Sequence, residues 1–180
     1  MSIRAYRNIV PTLGERVYVD PAAVVIGSVR IGDDSSIWPT AVVRGDVHTI
    51  TIGARTSIQD GSVLHVTHDG PRTPGGRALI VGSDVTIGHR VVLHACTIGN
   101  ACLVGMGSII LDDVVVEDAV MIGAGSMVTS GKRLESGGLY VGSPARRVRE
   151  LTQSELEFLT YSATHYVRVK DEYLRDAVTG

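Results

Sequence analysis

Aliphatic residues recur along this chain every six positions. They fall at Val19, Val25, Ile31, Ile37 and Val43, and after a small offset at Ile52, Ile58 and Leu64. Past an insertion they return at Val81, Ile87 and Leu93. One residue is then dropped, and Ile98, Val104, Ile110, Val116, Ile122, Val128, Leu134 and Tyr140 follow. A period of six is neither the 3.6 of a helix nor the alternation of an ordinary strand. It predicts an all-β solenoid in which each flat side turns one aliphatic residue inward and each corner is tight. Three sides make one coil, so coils stack about every 18 residues, with aliphatic ladders inside and backbone pairing between them. Gly often follows the aliphatic position (Gly32, Gly53, Gly82, Gly88, Gly99, Gly105, Gly123), and a small or β-branched residue often lies four after it (Ser35, Thr56, Ser108, Ser126). Corners need residues that tolerate positive φ or close approach, and residues such as Asp33 and Asn100 fit that need. A generic β-sandwich would show longer alternating runs with turns every 8–12 residues or so.

The breaks in the pattern divide the chain. Residues 1–18 read as a lead-in, a hairpin or irregular cap, and the β-helix is expected over 19–145. Within it, 68–79 (HDGPRTPGGRAL) is too rich in Gly and Pro to continue a strand and reads as a loop thrown out from a corner. A second break lies around Asp46 to Thr51. After Val141-Gly142-Ser143-Pro144 a helix is expected over 152–175. Thr152 is its N-cap, Glu155 completes a capping box, and Leu156, Leu159, Ala163, Tyr166 and Tyr173 lie on one face. Such a helix packs most simply along an outer side of the solenoid. Residues 174–180 are expected to fray.

Composition narrows the function classes. The 180 residues suffice for one domain with a sizeable core. Hydrophobic residues make up 44% and aromatics only 4%, so the core must be aliphatic. A net charge of −2 gives no nucleic-acid footprint. No run of about 18 apolar residues predicts a membrane span. No apolar stretch follows Met1-Ser2-Ile3-Arg4, so no secretory signal is expected. Two cysteines, Cys96 and Cys102, suit a reduced, cytoplasmic protein better than a disulfide scaffold.

Three of the six histidines stand in register. His65 ends Val63-Leu64-His65, His94 ends Val92-Leu93-His94, and His89 comes five residues before His94. The same Val-Leu pair precedes two of them at the same phase of the repeat. Three imidazoles are the ligand set of a catalytic zinc site with one open position. For a lone histidine the bland reading, a surface residue, would be favoured; three in phase favour the metal. Cys96, two after His94, is a potential soft ligand, though a small buried residue is the commoner role.

Three further motifs accompany them: Arg44-Gly45-Asp46, then Gln59-Asp60-Gly61, which runs directly into Val63-Leu64-His65. The ordered set of RGD, QDGSVLH and IGHRVVLH resembles the γ-class carbonic anhydrases, in particular their bacterial relatives with a C-terminal helix. The resemblance covers nearly the whole chain. It implies a left-handed parallel β-helix, a handedness that the periodicity alone leaves open. It also implies reversible hydration of CO2 to bicarbonate in a homotrimer with a site at each interface. His65, His89 and His94 would hold zinc, with iron or cobalt equally suited to imidazole. His65 and His94 would come from one subunit and His89 from its neighbour. His89 sits two after Ile87, whereas the other two sit one after their aliphatic residue, so it projects from a different point of the side. Arg44 and Asp46 would pair at the interface with Asp60 as second partner of Arg44, and Gln59 would hydrogen-bond the attacking hydroxide or the substrate.

Two positions depart from the best-studied γ-class pattern. Val47 follows Asp46 where that pattern has an acidic residue, and His68 stands where it has the acidic proton shuttle. His68 is therefore a candidate shuttle, since an unperturbed imidazole titrates near about 6.5. Tyr161 on the helix is a candidate to reach a neighbouring site. Three alternatives remain: a zinc-dependent thioesterase or other hydrolase on the same site, a metal-free hexapeptide acyltransferase with one catalytic histidine, and a metal-binding trimer without activity. The Gly142-Ser143-Pro144-Ala145 ending is shared with acyltransferases and does not discriminate.

Overall fold

The structure, a computed structural model, describes residues 2–179, with side chains described for 2–176. It is a parallel β-solenoid closed by one helix. Short strands stack in register from coil to coil: Val25 against Val43, Ile98 against Val116, Val104 against Ile122 and Ile110 against Val128, each pair 18 residues apart. The six-residue aliphatic ladder from Val25 to Tyr140 lies at 6% exposure or less throughout. Its stacking is the core, and burial of those side chains is the main force holding the coils together.

The two breaks lengthen individual coils without ending the stack. The strand Val42–Ile52 passes straight through the second break, and the extra residues are absorbed by a register shift between Gly27 and Val29 of the strand Val24–Ile31. The loop 68–79 widens the next coil so that Leu64 faces Leu93 and His65 faces His94, 29 residues apart. The lead-in differs from the expected cap. Ile3–Arg4 and Thr12–Leu13 pair in parallel with Val24–Ile31, with a tight turn between Tyr6 and Ile9. Ile3, Leu13 and Val17 pack on the first ladder residues, so the solenoid begins before Val19.

Corner chemistry also differs by one residue from expectation. Left-handed residues at the corners include Asp34 (φ 58°) and Ala101 (φ 50°), each one past the residue singled out from sequence, and Arg55 and Asp84. Asp33 and Asn100 instead accept backbone bonds from the adjacent coil, Glu15 N–H to Asp33 at 2.8 Å and Ser83 N–H to Asn100 at 2.9 Å. The glycines after the ladder residue serve close approach: a Cβ on Gly53 would lie 2.5 Å from the Gly82 carbonyl carbon. The hydroxyls four after the ladder residue are buried yet satisfied, Ser35 donating to Gly53 O at 2.7 Å and Thr56 to Gly82 O at 2.8 Å.

The coil ends in an antiparallel pair, Gly138–Gly142 with Ala145–Glu150. The helix then runs Gln153–Thr179, farther than the expected end at 175, because Asp171 to Thr179 carries no Gly or Pro; Gly180 lies outside the described residues. The capping box forms, with Thr152 N–H donating to Glu155 at 2.8 Å and Glu155 N–H to the Thr152 hydroxyl at 3.3 Å. The helix lies on the side built from Tyr18–Val19, Ser36–Ile37, Ser57–Ile58 and Thr86–Ile87. Leu159 and Ala163 are buried there, and Tyr166 and Tyr173 pack edge-on against Trp38. Lys170 is also fully buried, its ammonium donating to Asp34 at 2.8 Å and Asp171 at 2.5 Å.

Candidate metal centre

Because the strands Val63–His65 and Val92–His94 are adjacent in register, His65 and His94 stack at one edge of a solenoid side. His65 Nδ1 and His94 Nε2 face each other at 3.2 Å. The other nitrogen of each ring is held by a carboxylate. His65 Nε2 donates to Asp46 Oδ1 at 3.0 Å, and His94 Nδ1 donates to Asp112 Oδ1 at 2.6 Å. With both outer nitrogens donating, the neutral rings aim two lone pairs at one point. That arrangement is repulsive unless a cation or proton lies between them. Two nitrogens bound to one tetrahedral zinc at roughly 2.0–2.1 Å stand about 3.3 Å apart, so the pair fits two corners of such a site. Carboxylates behind the ligating rings are the usual second support of metal-bound histidine.

Burial more than charge favours the neutral, ligating form of His65. Burial holds the His65 imidazole below its ordinary value; the Asp46 bond opposes this, and Arg44 and His94 reinforce it. Burial pushes the Asp46 carboxyl up, but its bonds from His65 and Arg44 override this and leave it below the usual range. Arg44 closes on Asp46 in a short ion pair. Asp112 behaves alike: burial raises it, and the Thr67 hydroxyl and His94 together bring it lower.

His89 stands elsewhere. It sits in the turn before Val92–His94, at the opposite edge of that side, with the left-handed corner at Arg90 between it and that strand. Among the described residues, no three His, Cys, Asp or Glu side chains of one chain converge on a point. His89 Nδ1 donates to Asp60 Oδ2 at 2.8 Å, its counterpart one coil earlier, so this ring too has a carboxylate behind it and Nε2 free to ligate. Asp60 therefore faces His89 within the chain, and Arg44 has Asp46.

Gln59 is buried at 4% and lines a groove of about 370 Å³ with His89, Leu103, Met106, Met121 and Tyr166. Phe158 and Ser162 complete its helix wall, and Ser162 shares a 2.8 Å hydrogen bond with Thr86. Tyr161 lies outside this lining, 58% exposed and stacked on His165 at 5.9 Å. His68 is exposed at the mouth of the loop, where the Thr73 hydroxyl donates to its carbonyl at 2.8 Å. Val47 is 41% exposed. Cys96 and Cys102 are buried free thiols, each at 2% exposure, and burial pushes both above the ordinary thiol range. Sequence reasoning missed Asp112, Thr67 and Tyr166. A carboxylate one coil length after a histidine is the signal that would have found Asp112.

Comparison with known proteins agrees with the family resemblance. The family model described as bacterial transferase hexapeptide (six repeats) matches residues 11–45 and 95–130. Protein YrdA of Escherichia coli is 59% identical over 172 residues, covering 96% of this chain and 94% of that one. A carbonic anhydrase of Geobacillus kaustophilus is 37% identical over 173 residues, covering 96% and 91%. Among solved structures, a hexapeptide transferase family protein from Anaplasma phagocytophilum superposes with a TM-score of 0.88 at 40% identity, covering 95% of this chain and 97% of its own. Relatives named as carbonic anhydrases at these identities over most of both chains, with the hexapeptide match, place the chain: it belongs to the γ-class carbonic anhydrase-like family of hexapeptide-repeat proteins.

Proposed function

We propose that this protein hydrates CO2 reversibly at a three-histidine metal site formed between subunits of a homotrimer. The observation that carries the reading is the pair of lone-pair nitrogens on His65 and His94, 3.2 Å apart and each backed by a carboxylate. The third ligand is His89 of a neighbouring copy. His65 and His94 sit at one edge of a side and His89 at the other, so a head-to-tail interface that closes on itself uses both edges, and a three-membered ring completes three sites.

A divalent zinc held by three neutral imidazoles supplies the Lewis acidity that brings the pKa of water to about 7. The chain's own residues do the rest. Asp46 and Asp112 hold two rings in the ligating tautomer. Gln59, buried beside His89, orients the oxygens of CO2 and bicarbonate through its amide. Arg44 and Asp46 fix the interface edge on which His65 sits, and Asp60 steadies His89 from behind. His68, exposed on the adjoining loop, carries the released proton to buffer. Tyr161 reaches toward a neighbouring copy from the exposed face of the helix. The buried, unpaired thiols fit a reducing cytoplasm.

One observation favours a second reading. CO2 has three atoms and does not need a groove of about 370 Å³ walled by Leu103, Met106, Met121 and Phe158. The same acidified water would attack a thioester carbonyl whose acyl chain lies in that groove.

Metal content and CO2 hydration, measured on one anaerobically purified sample reloaded with zinc or iron, test the proposal. About one metal per chain with hydration lost in His89→Ala is expected. One metal per chain, no hydration and turnover of acyl-CoA would move the assignment to the thioesterase. Metal without either activity would leave a metal-binding trimer, and absence of metal would bring the acyltransferase forward.

A further inference from the structure

We propose that Asp112, braced by Thr67, is the positioning residue that fixes the tautomer and aim of His94. What His94 is aimed at rests on the metal reading above; the hold on its ring does not.

Asp112 follows the strand Ile109–Ile110, which pairs with Val92–Leu93, so it sits at the corner one coil beyond His94. Both of its oxygens are committed. Oδ1 accepts from His94 Nδ1 at 2.6 Å, and Oδ2 accepts a short bond from the Thr67 hydroxyl. A carboxylate bonded on both oxygens has little freedom to swing, and a ring bonded to it inherits that rigidity.

Thr67 is itself held. It lies two residues past His65 and closes the stem of the 68–79 loop: its N–H donates to Arg77 O at 3.1 Å, and Arg77 N–H donates to Thr67 O at 2.9 Å. Arg77 Nε reaches Asp113 at 2.8 Å. Two adjacent aspartates thus each take one strand of the loop stem. The backbone after His94 meets the same corner, with Asp113 N–H donating to Ala95 O at 2.9 Å and Ala95 N–H to His65 O at 2.9 Å. Ring and backbone of His94 are therefore both tied to the Asp112–Asp113 corner, and the loop's base is built into the support of the histidine pair. Without Asp112, the His94 Nδ1 proton loses the acceptor that holds it. Nε2, which faces His65, would then carry a proton part of the time and could not offer its lone pair.

The test compares Asp112→Ala, Asp112→Asn, Thr67→Val, Thr67→Ser and Asp113→Asn in the full-length protein. Zinc affinity is read by competition with a chelating dye, and the His94 tautomer by nitrogen-15 NMR of the metal-free protein. Asp112→Ala should weaken zinc by about ten- to a hundredfold and shift His94 toward the Nε2–H form. Asp112→Asn keeps an acceptor oxygen and should lose less. Thr67→Val should lose an intermediate amount, with Thr67→Ser restoring it. Asp113→Asn keeps the backbone bond to Ala95 and cuts only the Arg77 tie, so its loss should be smaller than that of Thr67→Val. Zinc affinity within twofold of wild type and an unchanged His94 tautomer in Asp112→Ala would overturn the proposal. Wild type that binds zinc no better than His94→Ala would overturn the metal reading alone, and the tautomer measurement would still decide the role of Asp112.

Discussion

His89 donates to Asp60 at 2.8 Å across neighbouring coils, at the opposite edge of the side that carries the His65–His94 pair. His65 and His94 thus share a phase and meet in the fold, whereas His89 differs in phase and stands apart from them. The spacing has a direct experimental consequence. If one copy supplies His65 and His94 and the next supplies His89, two dead variants should repair one another. His89→Ala and His94→Ala should each lose metal as pure proteins. Coexpressed, every mixed trimer should regain one intact site of its three, because a subunit with good His65 and His94 then meets one with a good His89. Tagged mixed trimers can be purified and their zinc measured. Mixed trimers as empty as the parents would rule out the shared site.

Much of this was legible in the sequence, for a definite reason. In a solenoid each ladder residue meets its own counterpart one coil on, so Leu64, Ile87, Leu93 and Val104 repeat along the chain as they repeat in space. The histidine pair was legible for the same reason, since His65 and His94 share a phase. What escaped were contacts whose partners carry no period. Asp112 holds a ring one coil back, 18 residues away, but a lone carboxylate does not repeat along the chain and so does not stand out. Lys170 looks like a solvated helix residue, yet its partner Asp34 lies 136 residues away. The corners failed differently: Asp33 and Asn100 are there for their side-chain oxygens, while the left-handed turn falls on the next residue.

The paired ladder residues Leu64 and Leu93 are both at 0% exposure. Cutting either to alanine removes buried methyl groups and leaves a cavity that the stacked backbones on each side cannot close. A loss of about 2–5 kcal/mol is expected for each. They touch, so the double variant should deviate from additivity. Chemical denaturation of the single and double variants measures both.

Glycine at the coil corners makes a sharper steric claim. A Cβ on Gly105 would lie 2.4 Å from the backbone nitrogen of Ala124 and 2.7 Å from the Gly123 carbonyl carbon. Backbone cannot step aside as a flexible side chain can. Gly105→Ala should cost roughly 1–3 kcal/mol, in line with other overpacked sites. By contrast, a Cβ on Gly75 meets nothing within 4 Å, but its φ of 79° strains any L side chain, so Gly75→Ala should cost about 1 kcal/mol. Thermal melts of the two variants should rank them in that order.

The helix start should titrate in acid. The Arg149 ion pair first, with the Thr152 backbone and hydroxyl bonds, holds the Glu155 carboxyl down at about 2. A folded-state value below that of the unfolded chain, near about 4.3, means stability that is fully present only above about pH 5. It is lost as pH falls toward 2. Asp34 acts in the same direction, its burial outweighed by the bonds from Lys170 and Arg16. Glu155→Gln should therefore flatten the fall of stability between about pH 5 and 2 without changing its shape near neutrality. Equal slopes in both proteins would show that the capping box carries no acid dependence.

Lys170 and Asp34 decide how the helix is held to the solenoid. The ammonium is fully buried between Asp34 and Asp171, while Asp34 also accepts from Arg16 Nε at 2.9 Å. The two ends of this pair are not equivalent. Asp34→Asn leaves a buried cation with one carboxylate fewer. That should cost about 2–3 kcal/mol, below the roughly 3–5 kcal/mol of a fully buried pair because the Asp34 side chain is 24% exposed. Lys170→Met removes the charge, keeps most of the stem, and leaves Asp34 bound to Arg16, so it should cost under about 1 kcal/mol. The order of the two, read from denaturant midpoints, separates a helix docked by charge from one docked by packing. A Lys170→Met protein less stable than Asp34→Asn would mean that the buried ammonium itself, and not its burial among carboxylates, contributes the larger share of the docking energy.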